Sequence, residues 1–245
     1  MNITMSAKIA KTFVKAIEKL NEESLIVFNE DGIKTKIVDS GNTTLLDVRI
    51  PKTSVTDFSF TGTSATEVGV VIARVKDLTK TLTTKDSLVM NYDKNNPTWL
   101  KMTANSVERK VRLLNATHMK RVSTPPTEHH WSANLPMKEV KAFLTSIGKS
   151  DKFEICVENE SIYFKAVTDD GEALLEFDKT AVALHHEDGK YVTFIQPQRF
   201  LDLISATGQK TVLEIKGSDD SIIEVIWSES DMNFNGWIAP LASGD

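Results

Sequence analysis

Apolar residues along this chain recur mostly every second position. Leu25–Phe28, Ile33–Val38, Leu45–Ile50, Val68–Ile72, Leu88–Tyr92 and Leu100–Ala104 read as strands in the first half. Phe153–Val157, Ile162–Val167, Ala173–Phe177, Tyr191–Ile195, Val212–Lys216 and Ile222–Trp227 read likewise in the second. Asp31-Gly32 and Gly217-Ser218-Asp219-Asp220 carry the residues hairpin turns need. Only four stretches, at about 8–20, 73–82, 137–147 and 197–206, follow the helical period instead. The pattern predicts an α+β protein, strand-rich with a few short helices.

The pattern also repeats. Val14-Lys15-Ala16-Ile17 returns as Val140-Lys141-Ala142-Phe143, 126 residues on. Gly32–Val38 returns as Ser161–Val167 at an offset of 129, and Arg74, Asp77 and Leu78 as Arg199, Asp202 and Leu203 at 125. Three matches in one order at nearly constant offset predict two copies of one domain. Between them, 116–130 has no apolar period and contains Pro125-Pro126, which continues neither a helix nor a central strand. The expected division is 1–115, a connector over 116–130, and 131–245.

Composition narrows the class. The 245 residues hold one cysteine, Cys156, so no internal disulfide forms and a reducing compartment fits. No apolar run is long enough for a membrane helix, and the first eleven residues lack a signal-peptide core. The net charge of −5 argues against coating nucleic acid with bulk positive charge.

Its distribution changes that picture. On the first helix Lys8, Lys11, Lys15 and Lys19 share one face, opposite Ile9, Phe13, Ala16, Ile17 and Leu20. Lys76 and Lys80 oppose Val75, Leu78 and Leu82 on the second; Lys138 and Lys141 oppose Val140, Phe143 and Ile147 on the third. The fourth carries Arg199 opposite Phe200, Leu203 and Ile204. Together the four stretches hold ten basic and four acidic residues, +6 in a chain of −5. A lysine row opposite an apolar stripe is ordinarily just a solvated helix face. Four leaning the same way in an acidic chain point to a layer that attracts a polyanion to one place.

Other chemistry is sparse. His129-His130 and His185-His186 are adjacent pairs whose rings point apart in a strand, and no third ligand is suitably spaced for zinc. No glycine-rich phosphate loop or nucleophile elbow occurs. The expectation is no catalytic residue, no metal and no cofactor.

With Asp31-Gly32-Ile33 leading into Ile37-Val38-Asp39-Ser40, and Trp237-Ile238-Ala239-Pro240 near the end, the chain resembles the DNA sliding clamp family. It is closest in character to the archaeal-like, proliferating-cell-nuclear-antigen (PCNA) type. The resemblance spans nearly the whole sequence and rests on order and length. It implies two DNA-clamp domains with antiparallel sheets outside and two short helices each inside, three chains closing a ring around duplex DNA. The ring would be a homotrimer, or a heterotrimer of related subunits. It implies a processivity factor rather than an enzyme. The cited lysines and Arg199 would approach phosphates without reading bases. DNA polymerase, clamp loader, flap endonuclease and DNA ligase would dock through short peptides, with no membrane involved. Such a protein works in the cytoplasm beside the nucleoid in an archaeon, and in the nucleus of a eukaryote.

The same resemblance assigns surfaces residue by residue. Val38, Asn42 and Leu45, Met119 and Val122 of the connector, and Trp237, Ile238, Ala239 and Pro240 would form the partner-peptide pocket. The connector is more basic than in the family at large, with Lys120 and Arg121. The strand at Arg109–Leu113 would pair with Ala173–Phe177 of the next chain. Arg109, Lys110 and Arg112 on one edge and Glu172, Glu176 and Asp178 on the other have opposite signs, as a head-to-tail contact needs. Two other classes compete: a monomeric metal-dependent enzyme and a single-strand nucleic-acid binder. The second is weakened by few strand aromatics for base stacking.

Overall fold

The computed structural model describes residues 1–60, 64–148, 150–169 and 171–241. The chain divides into two compact units. The first comprises Met1–Ser40, Leu46–Ser123 and Ser228–Phe234; the second comprises Gly41–Leu45, Thr124–Trp227 and Asn235–Asp245.

The first unit opens with β1 (Asn2–Ser6), whose Ile3 and Met5 point inward. It runs directly into α1 (Ala7–Glu18), capped by the Ser6 hydroxyl accepting from the Ile9 amide at 3.3 Å. β2 (Glu23–Asn29), β3 (Gly32–Val38), β4 (Thr44–Pro51), β5 (Asp57–Ser59) and β6 (Thr66–Val71) follow, then α2 (Ile72–Thr79). β7 (Ser87–Tyr92), β8 (Trp99–Ala104) and β9 (Val107–Arg112) complete the set. One sheet has the order β5-β1-β7-β8-β9; β4-β3-β2-β6 run together in another. Ile3 lies opposite Met90 and Leu100 opposite Val111, so pleat alternation delivers these apolar rows to one face. Onto that side α1 buries Ile9, Phe13, Ala16 and Ile17, and α2 buries Val75 and Leu78. The β2–β3 turn needs glycine: Gly32 has φ +140°, and a Cβ there would collide with the Ile50 carbonyl.

The second unit has the same order of parts. β10 (Trp131–Pro136) runs into α3 (Met137–Ser146), then β11 (Phe153–Glu158), β12 (Ser161–Thr168), β13 (Gly171–Asp178), β14 (His185–His186) and β15 (Tyr191–Ile195). α4 (Pro197–Leu203), β16 (Val212–Gly217), β17 (Ile223–Glu229) and β18 (Met232–Ile238) follow; the last two residues of β17 and the first three of β18 belong to the first unit. One sheet reads β13-β12-β11-β15, and β14-β10-β16-β17 run together elsewhere. Phe143 of α3 meets Phe153 and Phe164 edge-on at 5.9 Å, and Phe153 meets Phe200 of α4 at 6.2 Å. That aromatic cluster fastens both helices to the sheet.

The fold is α+β, with antiparallel sheets and four short helices. Strand ends match the sequence pattern closely, and the helices are shorter than their periodic stretches. β1, β5, β10, β14 and β18 are strands that the period-two pattern does not announce. β1 and β10 do alternate, Ile3/Met5 and Trp131/Ala133/Leu135, but each is clipped by the helix that follows it without a turn.

Candidate functional site

The apolar stripe fixes where the lysines go. Lys8, Lys11, Lys15 and Lys19 are all exposed along α1 and its C-terminal cap, because Ile9, Phe13, Ala16 and Ile17 occupy the sheet side. Lys80 and Lys138 are exposed; Lys76, Lys141 and Arg199 are half-buried. Lys11 donates to the Leu82 carbonyl, Lys76 pairs with Glu18, and Lys80 lies 3.9 Å from Asp77. In the first unit the lysines of α1 and α2 thus share one neighbourhood, bridged by Lys76–Glu18. In the second, α3 packs against α4, so Lys138, Lys141 and Arg199 belong to a matching pair.

The assigned pocket residues fall into two groups. Val38, Met119 and Val122 line one hollow of about 350 Å³ in the first unit. Its wall also includes Asn21, Lys36, Leu114 and His118, which the family resemblance does not assign to the pocket. Asn21 donates to the Val38 carbonyl at 3.0 Å, holding the end of β3. The connector reaches this place because Leu114 bridges to Gly69 of β6, its amide donating to the Gly69 carbonyl at 2.8 Å. Arg121 then pairs with Glu67 at 2.6 Å. The other group lies in the second unit. The Ala239 amide donates to the Thr43 carbonyl at 2.8 Å, beside Asn42, which holds φ +55°. Leu45, Trp237 and Ile238 are buried, with Ile238 at 0% exposure, and Ala239 and Pro240 are half-buried. The Trp237 indole nitrogen is buried without a hydrogen-bond partner among the described residues.

Both strands assigned to subunit contact are sheet edges: β9 ends one order and β13 ends another. Arg109 lies 3.7 Å from Asp77, and Glu172 pairs with Lys165 at 3.1 Å. Asp178 accepts from the Thr180 hydroxyl at 2.6 Å and from the amides of Ala181 and Thr180, which holds its carboxyl below the usual range. Among the described residues Lys110, Arg112 and Glu176 have no ion-pair partner in their own chain. Val107 on β9 and Leu174 on β13 are more than half exposed.

The fold that carries these residues has counterparts among solved structures along the full length. The chain superposes on PCNA of Archaeoglobus fulgidus, solved with the C-terminal region of FEN-1, with TM-score 0.91, 21% identity, and 100% and 99% coverage of the two chains. The chain has the sliding-clamp fold. It superposes comparably on PCNA of Thermococcus kodakaraensis, with TM-score 0.87, 18% identity and 98% and 99% coverage. A PCNA2–PCNA3 complex of Sulfolobus tokodaii gives TM-score 0.82, 20% identity and 99% and 100% coverage. In sequence, the DNA polymerase sliding clamp of Archaeoglobus fulgidus is 24% identical over 197 residues, covering 79% of this chain and 75% of that protein. No family model matches the chain.

Within this clamp fold the histidine pairs are engaged locally. His129 contacts Glu224 at 3.1 Å, His130 contacts Glu128 at 3.2 Å, and His186 sits on the Glu187 carbonyl at 2.7 Å. Among the described residues no three His, Cys, Asp or Glu side chains are grouped as a metal requires. Cys156 is fully buried behind Tyr163, and burial pushes its thiol pKa up.

Proposed function

We propose that this chain is a DNA polymerase processivity factor, a ring-forming clamp that encircles duplex DNA and tethers replication and repair enzymes. The observation that carries the reading is full-length likeness to clamp structures combined with four helices whose exposed sides are basic in an acidic chain. Residues 1–115 and 131–245 act as the two clamp domains, with 116–130 as connector. Lys8, Lys11, Lys15, Lys19, Lys76, Lys80, Lys138, Lys141 and Arg199 face the duplex. Long flexible side chains at a basic surface make replaceable phosphate contacts, which hold the duplex without fixing a position on it. The chain itself catalyses nothing; the chemistry belongs to what it tethers. Its place is wherever the chromosome is, the cytoplasm for an archaeal clamp.

The ring closes through β9 of one chain and β13 of the next. An edge strand left unpaired is a template for another strand, and these two edges offer Lys110 and Arg112 to Glu176. One chain carries both edges, so three copies suffice; related subunits pair the same way. Partner peptides of polymerase, clamp loader, ligase and a FEN-1-like nuclease anchor in the hollow of Val38, Met119 and Val122. Leu45 and the Trp237–Pro240 segment are the surface that the second unit offers to the same partners. Light scattering of the purified chain tests the assembly. Three times 27.3 kDa, alone or with related subunits, is expected; a monomer that turns over substrate with a metal would select the enzyme reading instead.

A further inference from the structure

A second groove of about 480 Å³ adjoins the hollow beneath the connector, and the two share Lys36 and Val122 as lining. Its sides carry Lys34, Lys36 and Arg49, and Pro51 closes one end with apolar surface. Arg49 is set in place: its Nε and Nη2 donate to the two oxygens of Asp47 at 3.3 and 3.0 Å. Asp47 is 5% exposed and also lies 3.7 Å from Lys36, so its charge is buried and answered twice. The Arg49 side chain remains 67% exposed. Two of its five N–H donors are used, and the guanidinium fork suits a carboxylate. Lys34 is exposed and has no ion-pair partner among the described residues. A cationic trough continuous with an apolar hollow is thus present on a chain of net charge −5.

We infer that this groove binds an acidic segment of the same partner peptide whose apolar anchor fills the hollow beneath the connector. The inference rests on the peptide-docking reading above and adds the charge that selects among partners. A peptide fits better than a nucleic acid because the groove leads into apolar wall at Val122 and Pro51. It also carries the exposed Asp31 carboxylate, which interrupts the cationic wall that a continuous phosphate chain would follow. Charge placed beside an anchor adds selectivity and on-rate more than raw affinity.

Calorimetry with three synthetic peptides tests this: an anchor with an acidic flank, the same anchor with a neutral flank, and the acidic flank alone. The acidic flank should tighten binding roughly tenfold at low salt, as two or three exposed charge pairs supply, and the gain should vanish at high salt. Lys34→Glu, which removes no ion pair among the described residues, should erase most of the gain while leaving the neutral peptide's affinity unchanged. Arg49→Gln should do the same wherever it folds. Equal affinity for both flanks, or a gain untouched by Lys34→Glu, overturns the inference. If neither anchored peptide binds, the docking reading has failed, and the flank alone decides the groove. NMR shifts at Lys34 and Arg49 that salt abolishes then support it, and their absence overturns it. A single-stranded oligonucleotide displacing the acidic flank at equal charge would make this a phosphate site and would also overturn it.

Discussion

Met119 lies directly over Gly69, so close that a Cβ on residue 69 would overlap its sulfur. The same Cβ would stand 3.0 Å from the Cβ of Leu114 and 3.1 Å from its carbonyl oxygen. The start of the connector is therefore seated on a strand position that tolerates no side chain. Gly69→Ala should displace Met119, cost about 1–3 kcal/mol in stability as overpacking does, and weaken anchor-peptide binding. Thermal melts and calorimetry on one preparation check both; unchanged affinity would mean Met119 does not shape the hollow.

Charge reversal at the β9 edge should open the assembly. Arg112→Glu with Lys110→Glu turns an edge complementary to Glu176 into a repelling one, and neither side chain has an ion pair to lose among the described residues. Dissociation to lower mass is expected in sedimentation, with the melting temperature of the monomer little changed. An unaltered mass would remove β9 from the interface.

Removing Lys15, Lys80 and Lys138 should reduce retention on duplex DNA and flatten its salt dependence, regardless of base sequence. Stability should change by no more than about 0.5 kcal/mol per site, since all three lie on exposed helix faces. Lys76 is a poorer test because its pairing with Glu18 ties α2 to α1. Retention equal to that of the unaltered protein would move the DNA path off these helices.

The outer face of β11–β12 supplies a pH test. The Tyr163 hydroxyl donates to Glu158 at 2.8 Å and Lys190 pairs with it at 3.1 Å, which holds the Glu158 carboxyl below its usual pKa. A depressed carboxylate stabilises the fold above its unfolded pKa, about 4.3, and that contribution is lost as pH falls through the folded value. Burial, first, pushes the Tyr163 hydroxyl up, so its contribution is present below about 10 and lost as pH rises further. Tyr163→Phe should raise the Glu158 titration midpoint by carboxyl NMR and make acid unfolding less steep. An unmoved midpoint would assign the depression to Lys190 alone.

Most of the fold was legible because burial enforces period two on strands and keeps lysines off the sheet side of helices. Ile33, Ile37, Val48 and Ile50 announce their strands; Phe13 and Ile17 announce the buried face of α1. Strands that pass straight into a helix, such as Asn2–Ser6 and Trp131–Pro136, lack the turn residues that usually punctuate a strand. The hollow was only half legible. Val38, Met119 and Val122 came from family resemblance, whereas Asn21, Lys36 and His118 are contributed by elements far apart in sequence. Nor does a sequence reveal that Glu172 and Asp178 already have partners in their own chain while Glu176 has no ion pair among the described residues; that depends on the β12–β13 register and the turn beyond it.

The ring around DNA is tested most directly by topology. The protein is loaded by its clamp loader onto nicked circular duplex, and the circle is then cut once. The protein should stay on the intact circle through a salt wash and slide off the cut ends. Equal retention on circular and linear DNA would contradict it.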